Sequence, residues 1–315
     1  MARSEGLQVV LGAGGGTGAA LVAELRQRGI LVRAVTRDGR SDGVPGVEHT
    51  AADLSDPAAA RRAVAGAAVV YHAANPPYRR WVEDFPGLND AVLTACREAG
   101  ARVVYADNLY MYGPDAGVMT ETTPERATDK NGRLRGQLAR QLLEAHARGE
   151  VDVVIGRSSD YLGPGGINSS LGETLFGPAL EGKTVRWIGN PDVAHSVAYL
   201  PDMAKALVTL ALADDSGGRA WHLPSVGTPT GRELVGVISA VTGTELTVQG
   251  TPRWLLRLFG LVRPVAGEIA DIYYQWQAPF VSSDAAFQSA YGPFEPTPLE
   301  DAVASTVSWF RERAS

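Results

Sequence analysis

The chain has 315 residues, 45% of them hydrophobic and 20% charged, with a net charge of −6 and a sequence pI near 5.5. An acidic balance of this kind excludes a partner held by its phosphate backbone, so no nucleic acid is expected. A single cysteine, Cys96, excludes an intrachain disulfide, and no apolar run reaches the roughly 20 residues that cross a bilayer, so no membrane partner is expected.

The first residues pass almost directly into a strand, which leaves no room for a signal peptide and gives a cytoplasmic location as the expectation. Leu7 to Leu11 reads as a compact apolar strand, followed by glycines and a helix through AALVAELRQRG. There Leu21, Leu25 and Arg28 fall at i, i+4 and i+7, and Gly29 stops the helix. Strands are predicted at Leu31 to Val35 and Val47 to Thr50; Asp56-Pro57 then opens a helix, with the acid at N-cap and proline at N1. Val69 to Ala73 is a strand and Leu88 to Ala99 a helix, with Cys96 in its apolar stripe as a buried, inert thiol. Val103 to Tyr105 is a strand, Leu134 to Ala147 a helix, and Val153 to Ile155 another strand.

Repeated β-α-β units of this length need long parallel crossovers, which predicts an α/β fold with a Rossmann-like doubly wound parallel sheet over residues 1–155. The pattern breaks at Gly163-Pro164-Gly165-Gly166. Helices are expected at Pro201 to Asp214, Arg232 to Thr242 and Pro298 to Arg313, with an aromatic stretch from Trp254 to Phe280. Residues 156–315 read as a smaller C-terminal substrate lobe, of which about 190–225 packs back on the sheet.

Between the first strand and helix stand Gly12, Ala13, Gly14, Gly15, Gly16, Thr17 and Gly18. Gly12 allows a tight turn, Gly15 lets a pyrophosphate approach the backbone, and Gly18 lets the helix sit close to the strand. The helix start then offers amide groups and a partial positive charge to the phosphates. The competing reading is a glycine-rich loop without a ligand. At the tip of the second strand an acid would favour NAD; here Thr36 and Arg37 stand instead, with Arg40 as a second cation and Asp38 beside them, which favours NADP while leaving NAD open. Asp53-Leu54 follows the third strand, where the carboxylate can accept from an adenine amino group or serve only the loop. Ala73 and Ala74 end the fourth strand, small enough for a nicotinamide ribose to lie against the backbone.

Together these residues resemble the short-chain dehydrogenase/reductase superfamily, in its extended branch of NAD-dependent epimerase/dehydratase proteins. Tyr112-Gly113, Arg157 with Gly163-Pro164-Gly165, and His195 with Asp202-Met203-Ala204 add to the resemblance, which spans essentially the whole chain. It implies a catalytic set of Ser or Thr, Tyr, and Lys four residues after the Tyr. The sequence departs at each point: Asn108 holds the Ser/Thr place, Gly132 the tyrosine and Gly136 the lysine. His195 and Asp202 match positions that are structural in the family, and pairing in the family makes a homodimer an expectation.

A substitute proton donor must then be sought beside the fifth strand. Tyr110 or Tyr112 could protonate a substrate oxygen, Asn108 could polarise a carbonyl, and Lys130 or Arg133 could supply positive charge; the bland alternative makes both tyrosines packing residues. Asn75 to Trp81 follows the fourth strand, where Tyr78 and Trp81 could wall a substrate pocket together with Tyr161, Trp187, Trp276 and the Tyr273-Tyr274 pair. The five histidines show no metal spacing, so no metal is expected. The leading expectation is an NADP-dependent oxidoreductase, reducing a small, mostly apolar carbonyl or conjugated metabolite with a non-standard proton donor. The rivals are an epimerase, dehydratase or isomerase that retains its NAD(P), and a non-catalytic NADP-binding redox sensor.

Overall fold

A computed structural model of the chain describes residues 5–40, 45–260 and 272–314. In chain order it begins with β1 (Leu7–Leu11), α1 (Gly16–Gln27), β2 (Val32–Thr36), β3 (Val47–Ala51), α2 (Pro57–Val64), β4 (Ala67–His72), α3 (Trp81–Ala99) and β5 (Arg102–Asp107). Next come β6 (Val118–Met119), α4 (Lys130–Ala147), β7 (Val153–Arg157), β8 (Tyr161–Leu162), α5 (Glu173–Leu180), β9 (Val185–Ile188), β10 (Ala198–Tyr199), α6 (Leu200–Leu212) and β11 (Ala220–His222). The described residues end with α7 (Gly231–Thr242), β12 (Val248–Thr251), α8 (Arg253–Gly260), β13 (Val281–Ser282), α9 (Ala285–Tyr291) and α10 (Leu299–Ala314).

Seven strands form one sheet in the order β11-β7-β5-β4-β1-β2-β3, and every pairing in it is parallel. This is the Rossmann-like α/β sheet that the β-α-β pattern predicts. Its inner strands read as apolar runs because helices cover the sheet; β7 is buried along its whole length, whereas the edge strand β3 is half exposed. Helix starts are set by local chemistry: Asp56 accepts from the Ala58 amide ahead of Pro57, and Thr230 with Glu233 closes a reciprocal capping box on α7.

The chain divides into two compact units, and the division is not a single cut near residue 155. The first unit takes Met1–Asn108, Leu134–Arg157 and Met203–Leu223; the second takes Leu109–Arg133, Ser158–Asp202 and Pro224–Ser315. The first carries the seven-stranded sheet with a core that includes Val9, Val70, Val103, Ile155 and Cys96. The second has its own core around Phe176, Trp187, Leu234, Trp276 and Phe310, and three two-stranded pairings, β8 with β10, β9 with β12, and β6 with β13.

Several boundaries differ from the sequence reading, and the physical reason is plain at two of them. Helix α3 starts at Trp81, not Leu88, because Trp81, Phe85 and Val92 continue the buried stripe through Pro86. The second strand begins at Val32, since Leu31 is exposed and precedes the sheet. Of the aromatic stretch from Trp254 to Phe280, residues 261–271 lie outside the described residues. Tyr273–Trp276 form a single 3-10 turn.

Cys96 lies within the apolar core, and burial pushes its thiol up to about 12. The native protein should therefore resist iodoacetamide at pH 8, while the unfolded chain is alkylated within minutes; mass spectrometry with and without denaturant checks this.

Candidate functional site

The turn from β1 into α1 is built by backbone passing against backbone. Gly12 has φ of +81°, and a Cβ there would lie 2.7 Å from Ala74 Cα and 2.8 Å from the Ala73 carbonyl oxygen. A Cβ on Gly18 would collide with the Gly12 carbonyl and stand 2.7 Å from Ala13 Cα. Side chains at either position would thus push α1 off β1 or β1 off the end of β4. Gly14 and Gly15 face solvent, and Gly16 and Thr17 open the helix half-buried. Gly15, the N-cap, supplies no side-chain cap, and the first turn carries no acid. This gives α1 an N-terminus whose positive end meets no negative side chain of its own, reached across backbone without side-chain bulk. The cradle suits a diphosphate.

The other cofactor candidates lie at the same carboxyl edge of the sheet, within the same unit. An added Cβ on Gly14 would lie 3.5 Å from the Thr36 methyl. Arg37 is exposed, and Thr36 Oγ1 donates to Asp38 Oδ1 at 3.3 Å. The Asp38 carboxylate is paired with Arg40 Nε at 2.7 Å. Asp53 Oδ1 accepts from the Ser55 hydroxyl at 2.6 Å and the Ser55 amide at 3.1 Å. These bonds, and then the Arg37 charge, hold Asp53 below the usual carboxylate value. Leu54 and Ala74 are buried, and Ala73 is half-buried.

The sequence reading missed an ion network at the ends of β5 and β7. Asp107 is wholly buried; its Oδ1 accepts from Arg135 Nε at 2.8 Å and Nη2 at 2.5 Å, and its Oδ2 from Arg157 Nε at 3.2 Å. Arg135 also donates to the Ala106 carbonyl at 3.1 Å and to Asn75 Oδ1 at 3.3 Å. Its guanidinium lies 5.0–5.4 Å from the ring centres of Trp81, Phe85 and Tyr105. Two arginines on one carboxylate leave a net positive charge there, held by hydrogen bonds and aromatic faces. The available signal was an arginine on an otherwise apolar helix stripe, three residues before Leu138 and seven before Leu142. At the end of β4, neither nitrogen of the His72 ring has a hydrogen-bond partner. Burial, and then the Arg135 charge, pushes this imidazole down to about 3, so it is neutral at pH 7.

Among the substrate candidates of this unit, Trp81 is 8% exposed and donates from Nε1 to the Pro76 carbonyl, which makes it a packing residue at the start of α3. Tyr78 is half-buried against it, with ring centres 4.6 Å apart. Asn108 is half-buried and ends the unit's first segment.

Tyr110, Tyr112, Lys130 and Tyr161 belong to the second unit. Tyr112 is 1% exposed in a small core with Leu109, Met111, Met119 and Phe280, and so has the packing environment that competed with a catalytic one. Tyr110 is half-buried, and its carbonyl accepts from the Tyr274 hydroxyl at 3.2 Å. Lys130 is exposed in the first turn of α4, which Asp129 caps by accepting from the Gly132 amide at 2.8 Å. A Cβ on Gly132 would lie 2.6 Å from the Tyr110 carbonyl oxygen and 2.5 Å from the Ala127 Cβ, so position 132 has no room for a tyrosine as packed. Tyr161 is half-buried at the start of β8. His195 is buried and paired with Asp160, and Asp202 accepts from both the amide and the hydroxyl of Thr297, a structural tie. Among the described residues, no cluster of three or more His, Cys, Asp and Glu could hold a metal ion, and no helix is long and apolar enough to cross a membrane.

Asp107→Asn should cost about 3–5 kcal/mol of stability, because two buried guanidinium groups lose their counter-charge; chemical denaturation against the parent checks it. His72 gives a pH signature. The unfolded imidazole takes up a proton near 6.5 and the folded one only near 3, so its contribution is complete above about pH 6.5 and falls as pH drops. Between pH 7.5 and 5.0 the parent should lose about 2 kcal/mol more than His72→Leu, at about 1.4 kcal/mol per pH unit. Equal losses would show that the folded imidazole accepts the proton.

Residues 8–223 match the sequence model of the NAD-dependent epimerase/dehydratase family. An uncharacterized protein, y4nG, of Sinorhizobium fredii (strain NBRC 101917 / NGR234) is 24% identical over 249 residues, 76% of this chain and 61% of that protein. The chain thus spans less than two thirds of that relative's length. Among solved structures, gox2253 superposes with a TM-score of 0.80 at 20% identity, covering 98% of both chains. DesIV, a dTDP-glucose 4,6-dehydratase from Streptomyces venezuelae with NAD and TYD bound, gives 0.79 at 18% identity over 97% of each chain. The UDP-glucose 4-epimerase of Thermotoga maritima with UDP-glucose gives 0.79 at 17%, covering 98% of this chain and 100% of that one. These structural likenesses are of fold; the match along the sequence, which takes in the glycine turn and every strand of the parallel sheet but its first residue, places the chain in the NAD-dependent epimerase/dehydratase family.

Proposed function

We propose that the chain is an NADP-dependent oxidoreductase, reducing a small, mostly apolar carbonyl or conjugated metabolite. The observation that carries the cofactor half is the bulk-free turn at Gly12, Gly15 and Gly18 leading into an uncapped α1. The bound nucleotide would supply the hydride. The backbone amides that open α1, at Gly16 to Gly18, would hold the diphosphate, and the exposed Arg37 would pair with a 2′-phosphate. Asp38, the acid that argues for NAD, already has Arg40 on its carboxylate. For the proton, burial of Tyr112 leaves Tyr110 as the favoured donor; a phenol is a better acid than base toward a substrate oxygen, which suits reduction.

One observation favours a different reading. The packing around Gly132 refuses the family's tyrosine, as expected of a protein that binds NADP without turnover and acts as a redox sensor. The resemblance to a nucleotide-sugar epimerase and a dehydratase keeps a third, cofactor-retaining reading in play, marked by nucleotide that co-purifies and is not consumed.

Titration of the purified protein with NADPH and NADH, followed by nicotinamide fluorescence, tests the reading. NADPH should bind more tightly, and Arg37→Glu should weaken it about tenfold or more, the worth of a charge-assisted hydrogen bond, while NADH changes by less than about twofold. Saturable uptake of neither nucleotide would sink the proposal. With a carbonyl that is turned over, Tyr110→Phe should lower kcat by about a hundredfold or more, the usual contribution of a positioned acid; unchanged turnover removes Tyr110 as donor.

A further inference from the structure

Large hydrophobic side chains exposed singly are ordinary on a protein surface, and Leu31 before β2, Val82 on α3 and Val118 on β6 stand that way. Helix α8, in the second unit, differs. Its Trp254 and Leu258, 67% and 54% exposed, sit one turn apart, at i and i+4, on a single face. The helix is held from another side, where the buried Leu256 packs with Tyr273 and Ile188. Arg253 and Arg257, also at i and i+4, are exposed beside the apolar pair. A third cation comes from β9. Arg186 is exposed two residues before Ile188, and so stands on the strand face to which Leu256 packs. No acid occurs in β9, in β12 or in α8, nor anywhere from Leu246 to Gly260, in a chain whose net charge is −6.

An apolar pair bordered by arginines, with an indole that carries a polar N–H at its edge, matches the layering of a membrane interface: acyl chains, then headgroup carbonyls, then phosphates. A protein partner matches it less well. A stable protein interface covers roughly 800 Å² on each side, and two side chains on one helix face offer a small part of that. A fluid lipid surface needs no complementary shape. We propose that α8 is an interfacial anchor: Trp254 and Leu258 enter the headgroup region of an anionic lipid surface, and Arg186, Arg253 and Arg257 pair with its phosphates. Lying on a surface calls for a helix with one apolar and one charged side, whereas crossing a bilayer calls for a run of roughly 20 apolar residues. That no helix among the described residues could span a membrane is therefore no obstacle. With 8 residues in the helix, the attachment is reversible. The inference is independent of the reaction proposed above.

The test is flotation of the full chain with two kinds of vesicle at low salt, phosphatidylcholine alone and phosphatidylcholine with about 30 mol% phosphatidylglycerol. The anionic vesicles should carry the protein upward, and the neutral ones at least about fivefold less of it. Salt at about 1 M, which screens charges beyond roughly 3 Å, should release most of the bound protein. Arg257→Glu should lower binding to anionic vesicles at least about fivefold, and Trp254→Ser combined with Leu258→Ser at least about tenfold. All three positions are exposed, and far-ultraviolet circular dichroism checks that each variant keeps the fold. Absence of flotation with either vesicle overturns the proposal, as does equal binding to both or undiminished binding by the double variant. A dimer in analytical ultracentrifugation that the double variant splits, in a chain that leaves both vesicles bare, assigns the face to a second copy and overturns it as well. Nucleotide uptake is no part of the readout, so failure of the cofactor reading leaves this result standing.

Discussion

The tightest constraint in the first unit is the crossing of three backbones where β1 becomes α1. Gly12 lies against Ala73 and Ala74 at the end of β4, and Gly18 lies against the Gly12 carbonyl. That double approach sets how α1 leaves the sheet, and therefore where its positive end points. The cradle, the strand tips bearing Thr36, Arg37 and Asp53, and the small pair Ala73-Ala74 are consequences of one packing requirement. A methyl group at either glycine would disturb all of them together.

A second constraint is electrostatic. Asp107 sits under two guanidinium groups, with Arg135 wedged among aromatic rings. The resemblance led us to look for a lysine at position 136. The residue before it carries the charge instead, buried and already engaged. Gly132 tells a related story, since its neighbours close over the place a tyrosine would need. At position 132 the packing and the glycine agree.

What the sequence made legible follows from the range of each constraint. The sheet could be read because strands covered by helices are continuous apolar runs, and the glycine turn because its requirement is local. Strand β7 outran its expected end because Gly156 and Arg157 are not apolar. Yet Gly156 is needed: a Cβ there would meet the Leu207 and Leu223 side chains. The start of α3 was hidden by prolines at 76, 77 and 86, which read as loop although Trp81 and Phe85 keep the helical stripe. Arg135 on its apolar stripe was a legible signal, but its partner Asp107 and the pairing of His195 with Asp160 could not be read. Arg135 meets Asp107 across 28 residues and His195 meets Asp160 across 35, so both partnerships exist only once the fold has formed.

The interleaving of the two units bears on how the protein is made. The sheet of the first unit is completed by β11, which pairs with β7 only after the chain has been synthesised past His222. Much of the second unit, including β8, α5 and β9, leaves the ribosome before that edge strand does. Neither unit can then mature as an independent N-terminal piece, and a ribosome stalled near residue 160 would hold a sheet with β7 as an open, hydrophobic margin. Such an edge recruits other strands. Cells translating this chain would need to shield it until the last sixty or so residues of the sheet-forming segment emerge.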